Sequence, residues 1–189
     1  MTDSPTDENL ARLVQTGDHQ ALATLMDRYT GKLLRYGGRF LASDDGIADV
    51  VQDVFVSVYK NIQDFDSTRR FSPWIYRIAH NAFVNVLRAQ ARGPLYFEDF
   101  DRVIPHGVYE DPDAKEKESK EMRVLVGEGL NELPPKFREI ILLYYFEDFS
   151  YKEISDILQI PMGTVSVRLA RAREALKKHL RPKIEKHYE

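Results

Sequence analysis

The stretch Ser150-Tyr-Lys-Glu-Ile-Ser-Asp-Ile-Leu-Gln-Ile-Pro-Met-Gly-Thr-Val-Ser-Val-Arg-Leu-Ala-Arg-Ala-Arg-Glu-Ala-Leu176 decides how the chain reads. Ser150 followed by Glu153 is a capping box, in which each residue satisfies the other's backbone N–H at a helix start. Ile154, Ile157 and Leu158 give the short helix over 150–158 one apolar face. Ile160-Pro161 interrupts it, because proline cannot donate to a helix and restricts the residue before it. A longer helix begins near Gly163, with Val165, Leu169, Ala172 and Leu176 on its core side. Helix, tight break and second helix form the helix-turn-helix pattern. Ser166, Ala170, Arg173 and Lys177 share another face, with Arg168, Arg171 and Lys178 beside them. Residues 163–187 hold eight bases against two acids. The first turns of such a helix meet base edges in the major groove, and later bases meet phosphates. The competing reading of a charge run is a solvated face on an ordinary bundle helix. Box, break and basic helix together favour DNA.

Outward from that motif, the composition is ordinary for a globular protein. The 189 residues are 43% hydrophobic and 30% charged, room for one domain or two small ones. The absence of cysteine excludes disulfides, thiolate metal sites and a thiol nucleophile. No apolar run reaches the ~18 residues of a membrane helix, so no membrane insertion is expected. The first residues show neither a basic segment nor an apolar one, so no signal peptide is expected. A cytoplasmic protein follows as the expectation.

The net charge of -3 argues at first against a nucleic-acid binder. Its distribution reverses that argument. Residues 1–19 carry -3, residues 20–92 carry +3, residues 93–129 carry -5 and residues 130–189 carry +2. Gly93, Pro94, Pro105, Gly107 and Pro112 interrupt any period in the acidic block, which reads as a linker. A helix is expected to resume near Ala114 and to run through Met122, Val124, Leu125 and Leu130, with Gly127 and Gly129 weakening it.

The N-terminal block reads as three helices. Ala21, Leu22, Leu25, Met26, Tyr29, Leu33 and Leu34 form one stripe, and Val50, Val51, Val54, Phe55, Val58, Tyr59 and Ile62 a second. A third helix is expected from Ser72-Pro73, Ser capping and Pro in the first turn, to about Ala91. Residues 68–92 hold five arginines and no acid. Ile75, Ile78, Ala79, Ala82 and Val86 are expected to be buried. Trp74, Arg77, Asn81, Asn85, Arg88 and Arg92 form a different face. Aromatics stack on unpaired bases, amides read base edges and guanidinium groups hold phosphates, so this face suits opened DNA. Burial at the helix start is the alternative for Trp74 and Tyr76. His80 reads as incidental. Asp49, Gln52 and Asp53 lie opposite the apolar stripe of their helix. Two carboxylates at that spacing suit acid–base chemistry, a solvated face or docking of a basic partner. No nucleophile, phosphate loop or ligand set accompanies them. The reading is all-α, two small helical domains joined by an acidic linker, the second a helix-turn-helix.

These residues resemble the extracytoplasmic-function (ECF) sigma factors of bacterial RNA polymerase over nearly the whole chain. Asp49-Val-Val-Gln-Asp-Val-Phe55 is similar to the family's second region. Phe71-Ser-Pro-Trp-Ile-Tyr-Arg-Ile-Ala-His-Asn81 is similar to its promoter-melting segment. Leu133-Pro-Pro-Lys-Phe-Arg138, Phe149-Ser-Tyr-Lys-Glu-Ile154, Ile160-Pro-Met-Gly-Thr-Val165 and Arg171-Ala-Arg-Glu-Ala-Leu176 are similar to its fourth region.

The resemblance implies region 2 over 1–92, an acidic linker with partial helix over 93–129, and region 4 over 130–189. It implies that Asp49, Gln52 and Asp53 dock on the basic coiled coil of core RNA polymerase. It implies a base-capturing loop from Phe65 to Phe71, with Arg69 and Arg70. Trp74, Tyr76, Arg77 and Asn81, followed by Asn85 and Arg88, would meet the opened non-template strand of the minus-ten element. Thr164, Ser166, Val167, Arg168 and Ala170 would read the minus-thirty-five element as duplex. Arg171, Arg173 and Lys177 would hold its backbone. Many members place Lys or Arg and then Ser where Ser166 and Val167 stand, so the resemblance does not carry over a specific upstream sequence. The linker would thread the polymerase channels, and an anti-sigma factor would clamp both helical blocks. No catalytic residue, cofactor or metal is expected. The rivals are a one-component helix-turn-helix regulator, which would bind duplex tightly without polymerase, and an enzyme built on Asp49 and Asp53.

Overall fold

The computed structural model describes residues 4–38, 44–90 and 125–187. Arg92, most of the expected linker, and Ala114, Met122 and Val124 of the expected helix lie outside the described residues. The regular elements among the described residues are all helical, and they form an N-terminal and a C-terminal compact unit.

In the N-terminal unit α1 spans Asp7–Gln15, with Thr6 Oγ1 accepting the Asn9 N–H at 3.3 Å. Gly17 follows at φ +96°, a backbone state that costs glycine little. The turn delivers Asp18, whose carboxylate accepts the N–H groups of Gln20 (2.8 Å) and Ala21 (3.1 Å) and so caps α2, His19–Gly37. Of the expected α2 stripe, Ala21, Leu25, Tyr29 and Leu33 are buried, while Met26 and Leu34 are exposed. The core side follows the i, i+4 row and leaves these two at its edge. The helix α3 spans Asp44–Asn61. Val50, Val51, Val54, Phe55 and Val58 are buried as the pattern predicts, with Ile62 just beyond the helix. Tyr59 is instead exposed, its ring 6.0 Å from that of His19.

The helix α4 spans Phe71–Gln90 and starts one residue before the predicted capping serine. Its Phe71 N–H is accepted by Glu8 Oε1 of α1 at 3.0 Å. A helix start leaves four N–H groups without intrahelical partners, and here a distant carboxylate takes one. The buried side of α4 is rotated from the predicted one. Phe71, Ile75, Ala79, Phe83 and Leu87 form its central row, flanked by Tyr76, His80 and Val84. Ile78, Ala82 and Val86 are half-buried. His80 is no incidental residue: it is buried, with Nδ1 3.3 Å from the Tyr36 hydroxyl.

In the C-terminal unit α5 is helical over 125–131. Gly129 does not break it. A Cβ there would lie 2.7 Å from Leu180 Cδ2, so glycine lets α5 approach the last helix closely. The helix α6, Pro135–Ile141, runs into a π turn, Leu142–Phe146, that leaves Tyr145 and Phe146 exposed. The helices α7, Tyr151–Leu158, and α8, Met162–His187, complete the unit. Arg138 is buried and donates to the carbonyls of Leu130 (2.8 Å), Asn131 (2.7 Å) and Leu133 (3.1 Å). It thereby closes the open C-terminal end of α5.

Candidate nucleic-acid interfaces

The capping box forms as its spacing requires. Ser150 Oγ accepts the Glu153 N–H at 3.3 Å, and Glu153 Oε2 accepts the Ser150 N–H at 2.8 Å. The helix α7 ends in a tight turn at Gln159, φ +53°. The Ile160 N–H reaches back to the Ser155 carbonyl at 3.2 Å, and Ser155 Oγ donates to the Ile160 carbonyl at 2.5 Å. Three residues, Gln159, Ile160 and Pro161, separate α7 from α8. Val165, Leu169 and Ala172 are buried, as the faces predicted, and Leu176 is half-buried.

That arrangement leaves Thr164, Ser166, Val167, Ala170 and Arg171 exposed on the first turns of α8. Val167 is 52% exposed, which suits an apolar contact such as a thymine methyl. Arg168 is half-buried. Desolvation lowers its pKa, and the nearby Glu139 carboxylate partly opposes that. Arg173 and Lys177 are exposed further along. A hydrogen bond with the Tyr145 hydroxyl holds the Arg173 pKa above its ordinary value. Both residues also border an open, mainly apolar groove of about 640 Å³ between α5, the π turn and α8. Sequence reasoning missed this groove, because its walls come from segments far apart in the chain.

The second surface lies on α4. Arg77, Asn81, Asn85 and Arg88 are exposed and step along one side of the helix. Trp74 is half-buried at its start. Before it runs the segment Phe65–Phe71, in which Asp66, Thr68, Arg69 and Arg70 are exposed. Asp66 Oδ1 accepts from the Thr68 N–H (2.9 Å) and hydroxyl (2.7 Å), which lowers the Asp66 pKa and shapes a turn.

Three residues expected at the DNA surface have buried side chains. Phe65 is 5% exposed, and Phe71 and Tyr76 are fully buried. Phe65 and Phe71 meet edge to face at 5.4 Å, and Trp74 lies 5.2 Å from Phe65 and 5.6 Å from Phe71. Tyr76 packs edge to face on Tyr36 at 5.2 Å. Phe65, Phe71 and Tyr76 thus pack the loop and the helix from the inside. The spacing of Tyr76 from Ile75 and Ala79 carried the signal, since position 76 adjoins the core row.

Asp49, Gln52 and Asp53 are exposed together on α3, and Val56 beyond them is 48% exposed. Among the described residues no group of three potential ligands is placed to hold a metal ion. No described helix is long and apolar enough to cross a membrane.

Comparisons with known proteins identify the family. The sequence profile of Sigma-70 region 2 matches residues 25–93, and that of Sigma-70 region 4 matches residues 123–176. The ECF RNA polymerase sigma factor SigW of Bacillus subtilis is 35% identical over 179 residues, covering 89% of this chain and 93% of that protein. The ECF RNA polymerase sigma-E factor of Haemophilus influenzae is 35% identical over 188 residues, covering 96% and 99%. Two solved structures share the fold. One is CnrH in complex with the cytosolic domain of CnrY (TM-score 0.66, 24% identity, 93% of this chain and 97% of that one). The other is RpoE of Bartonella quintana in complex with the anti-sigma factor NepR (TM-score 0.66, 23% identity, 84% and 96%). With both Sigma-70 regions matched and relatives 35% identical along nearly their full length, the chain belongs to the ECF sigma factors of RNA polymerase.

Proposed function

We propose that the two exposed basic faces divide promoter recognition between them. The chain directs promoter-specific initiation by core RNA polymerase and is not an enzyme. The α4 face supplies the opening step. Arg77 and Arg88 hold phosphates of the non-template strand, Asn81 and Asn85 meet base edges, and Trp74 offers its indole to an unstacked base. Extruding a base costs a few kcal/mol, which stacking and pairing in the protein offset. The loop from Phe65 to Phe71 takes that base against Arg69 and Arg70, while Phe65, Phe71 and Tyr76 keep the frame rigid.

The α8 face reads duplex. Thr164, Ser166, Val167 and Ala170 face the major groove, with half-buried Arg168 at their edge. Arg171, Arg173 and Lys177 set position on the backbone. Small side chains at 166 and 170 admit the helix closely but cannot form the bidentate arginine–guanine pair. Asp49, Gln52 and Asp53 carry the docking on polymerase. Residues 1–92 and 130–189 are assigned to regions 2 and 4, with 93–129 as linker. The site of action is the cytoplasm, where polymerase works. An anti-sigma factor is the proposed regulator, by analogy with the complex of Bartonella RpoE with NepR.

The observation that carries this reading is the pairing of an arginine-and-amide helix with a helix-turn-helix in one chain. Transcription with purified core polymerase across a promoter library tests it. Initiation must exceed that of core alone, and Asn81→Ala must lose opening while keeping core affinity. Tight duplex binding without polymerase would instead revive the one-component regulator.

A further inference from the structure

The helix α1 precedes the residues matched by the region 2 profile, which begins at residue 25. It nevertheless binds the segment leading into the exposed α4 face at four points. Gln15 Nε2 donates to the carbonyls of Ile62 (2.8 Å) and Phe65 (2.9 Å). Gln63 Nε2 donates back to the Gln15 carbonyl at 2.9 Å. Glu8 Oε1 accepts the Phe71 N–H at 3.0 Å. One amide therefore fixes the near end of the loop and one carboxylate fixes its far end. Between Phe65 and Phe71 the Asp66 turn adds bonds of its own, its carboxylate accepting from Thr68 and its carbonyl accepting the Arg69 N–H at 3.0 Å.

We infer that Gln15 and Glu8 are positioning residues for base capture by the 65–71 loop. The inference rests on the reading of that loop given above. A base-sized recess keeps its selectivity only when its walls stay within a fraction of an ångström, and ordering them beforehand spares that cost at binding. The aromatic packing of Phe65, Phe71 and Trp74 resists outward movement of the loop ends and orients the rings, but it does not bind the backbone carbonyls. The hydrogen bonds from α1 do. They orient the Ile62 and Phe65 carbonyls, and through them the path of Asp66–Arg70.

The test uses the full chain bound to core polymerase. The probe is a fluorescent pool of single-stranded DNA, randomised across the minus-ten region, from which the complex selects. Gln15→Met keeps the side-chain length and removes both donors. The expected result is a loss of base preference at the captured position of about tenfold, the scale of two neutral hydrogen bonds. Preference at the positions facing Asn81 and Asn85, and affinity for core, should hold within about twofold. Glu8→Gln keeps an acceptor for Phe71 and should behave as wild type, whereas Glu8→Ala should resemble Gln15→Met. In the free chain, amide hydrogen exchange over Asp66–Arg70 should speed up by about tenfold in Gln15→Met. Trp74, the only tryptophan, should report the same loosening by fluorescence.

Unchanged base preference with unchanged exchange would overturn the inference. So would a proportional loss at every position together with core affinity, which marks general destabilisation. A wild-type complex without any base preference would sink the base-capture reading itself, and this inference with it.

Discussion

Single side chains set the rigidity of both units. Arg138 shows it most plainly, since three carbonyls at the end of α5 and just beyond it depend on one buried guanidinium. Arg138→Met should destabilise the C-terminal unit by roughly 2–4 kcal/mol, because the carbonyls stay buried without a donor. Urea unfolding measures this, and a loss under ~1 kcal/mol would show that water replaces the arginine. Tyr29 makes a different prediction. Burial first, and then the hydrogen bond with Asp7 (2.6 Å), push its phenol pKa upward. A raised folded pKa means stability that is complete below the unfolded value, about 10, and is lost as pH rises beyond it. The melting temperature of the wild type should therefore fall more steeply from about pH 9 to about pH 11 than that of Tyr29→Phe. Parallel curves would show that Tyr29 does not control alkaline stability.

Elements depend on caps and close approaches that individual residues permit. The capping box at the start of α7 places the helix-turn-helix, so Ser150→Ala should cost about 1 kcal/mol. It should weaken duplex binding no more than that loss explains. The turn that follows holds Gln159 at positive φ, where a side chain is strained. Gln159→Gly should leave stability unchanged or raise it by up to about 1 kcal/mol, read from thermal melting. A clear loss would show that the Gln159 side chain supports the turn. Gly129 is the opposite case: Gly129→Leu must displace Leu176 and Leu180 and should separate α5 from α8. The pattern 71–75–79–83–87 of α4 shows how an element corrects a residue-level reading. Its amphipathic character is visible in the sequence. Which of two adjacent rows faces inward depends on Tyr36 and Tyr29 of α2, which pack on Tyr76 and Phe71.

For the whole molecule, charge distribution matters more than the net value of -3. A chain with little net charge should bind isolated duplex weakly and lose that binding steeply with salt. Each phosphate contact removed, by Arg171→Ala or Lys177→Ala, should reduce the slope of log affinity against log salt by about 0.9. Anisotropy titrations over several salt concentrations measure it. An unchanged slope would move the backbone contacts elsewhere on α8. The same variants should leave selection of single-stranded DNA by the polymerase complex unaltered, since that belongs to α4 and the 65–71 loop.

The sequence by itself determined what local chemistry can specify. It marked an all-helical chain, the capping box with its turn, the basic faces of α4 and α8, and the acidic face of α3. Each is written in residues three or four apart, the distance over which a helix brings side chains together. Only the tertiary structure decided which aromatics are lost to the core, that His80 meets Tyr36, and that Arg138 closes α5. It alone showed Glu8 and Gln15 reaching across some fifty residues or more to hold the ends of one loop. Such contacts join segments with no common period. They form because buried carbonyls and N–H groups must find partners wherever the packed chain supplies them.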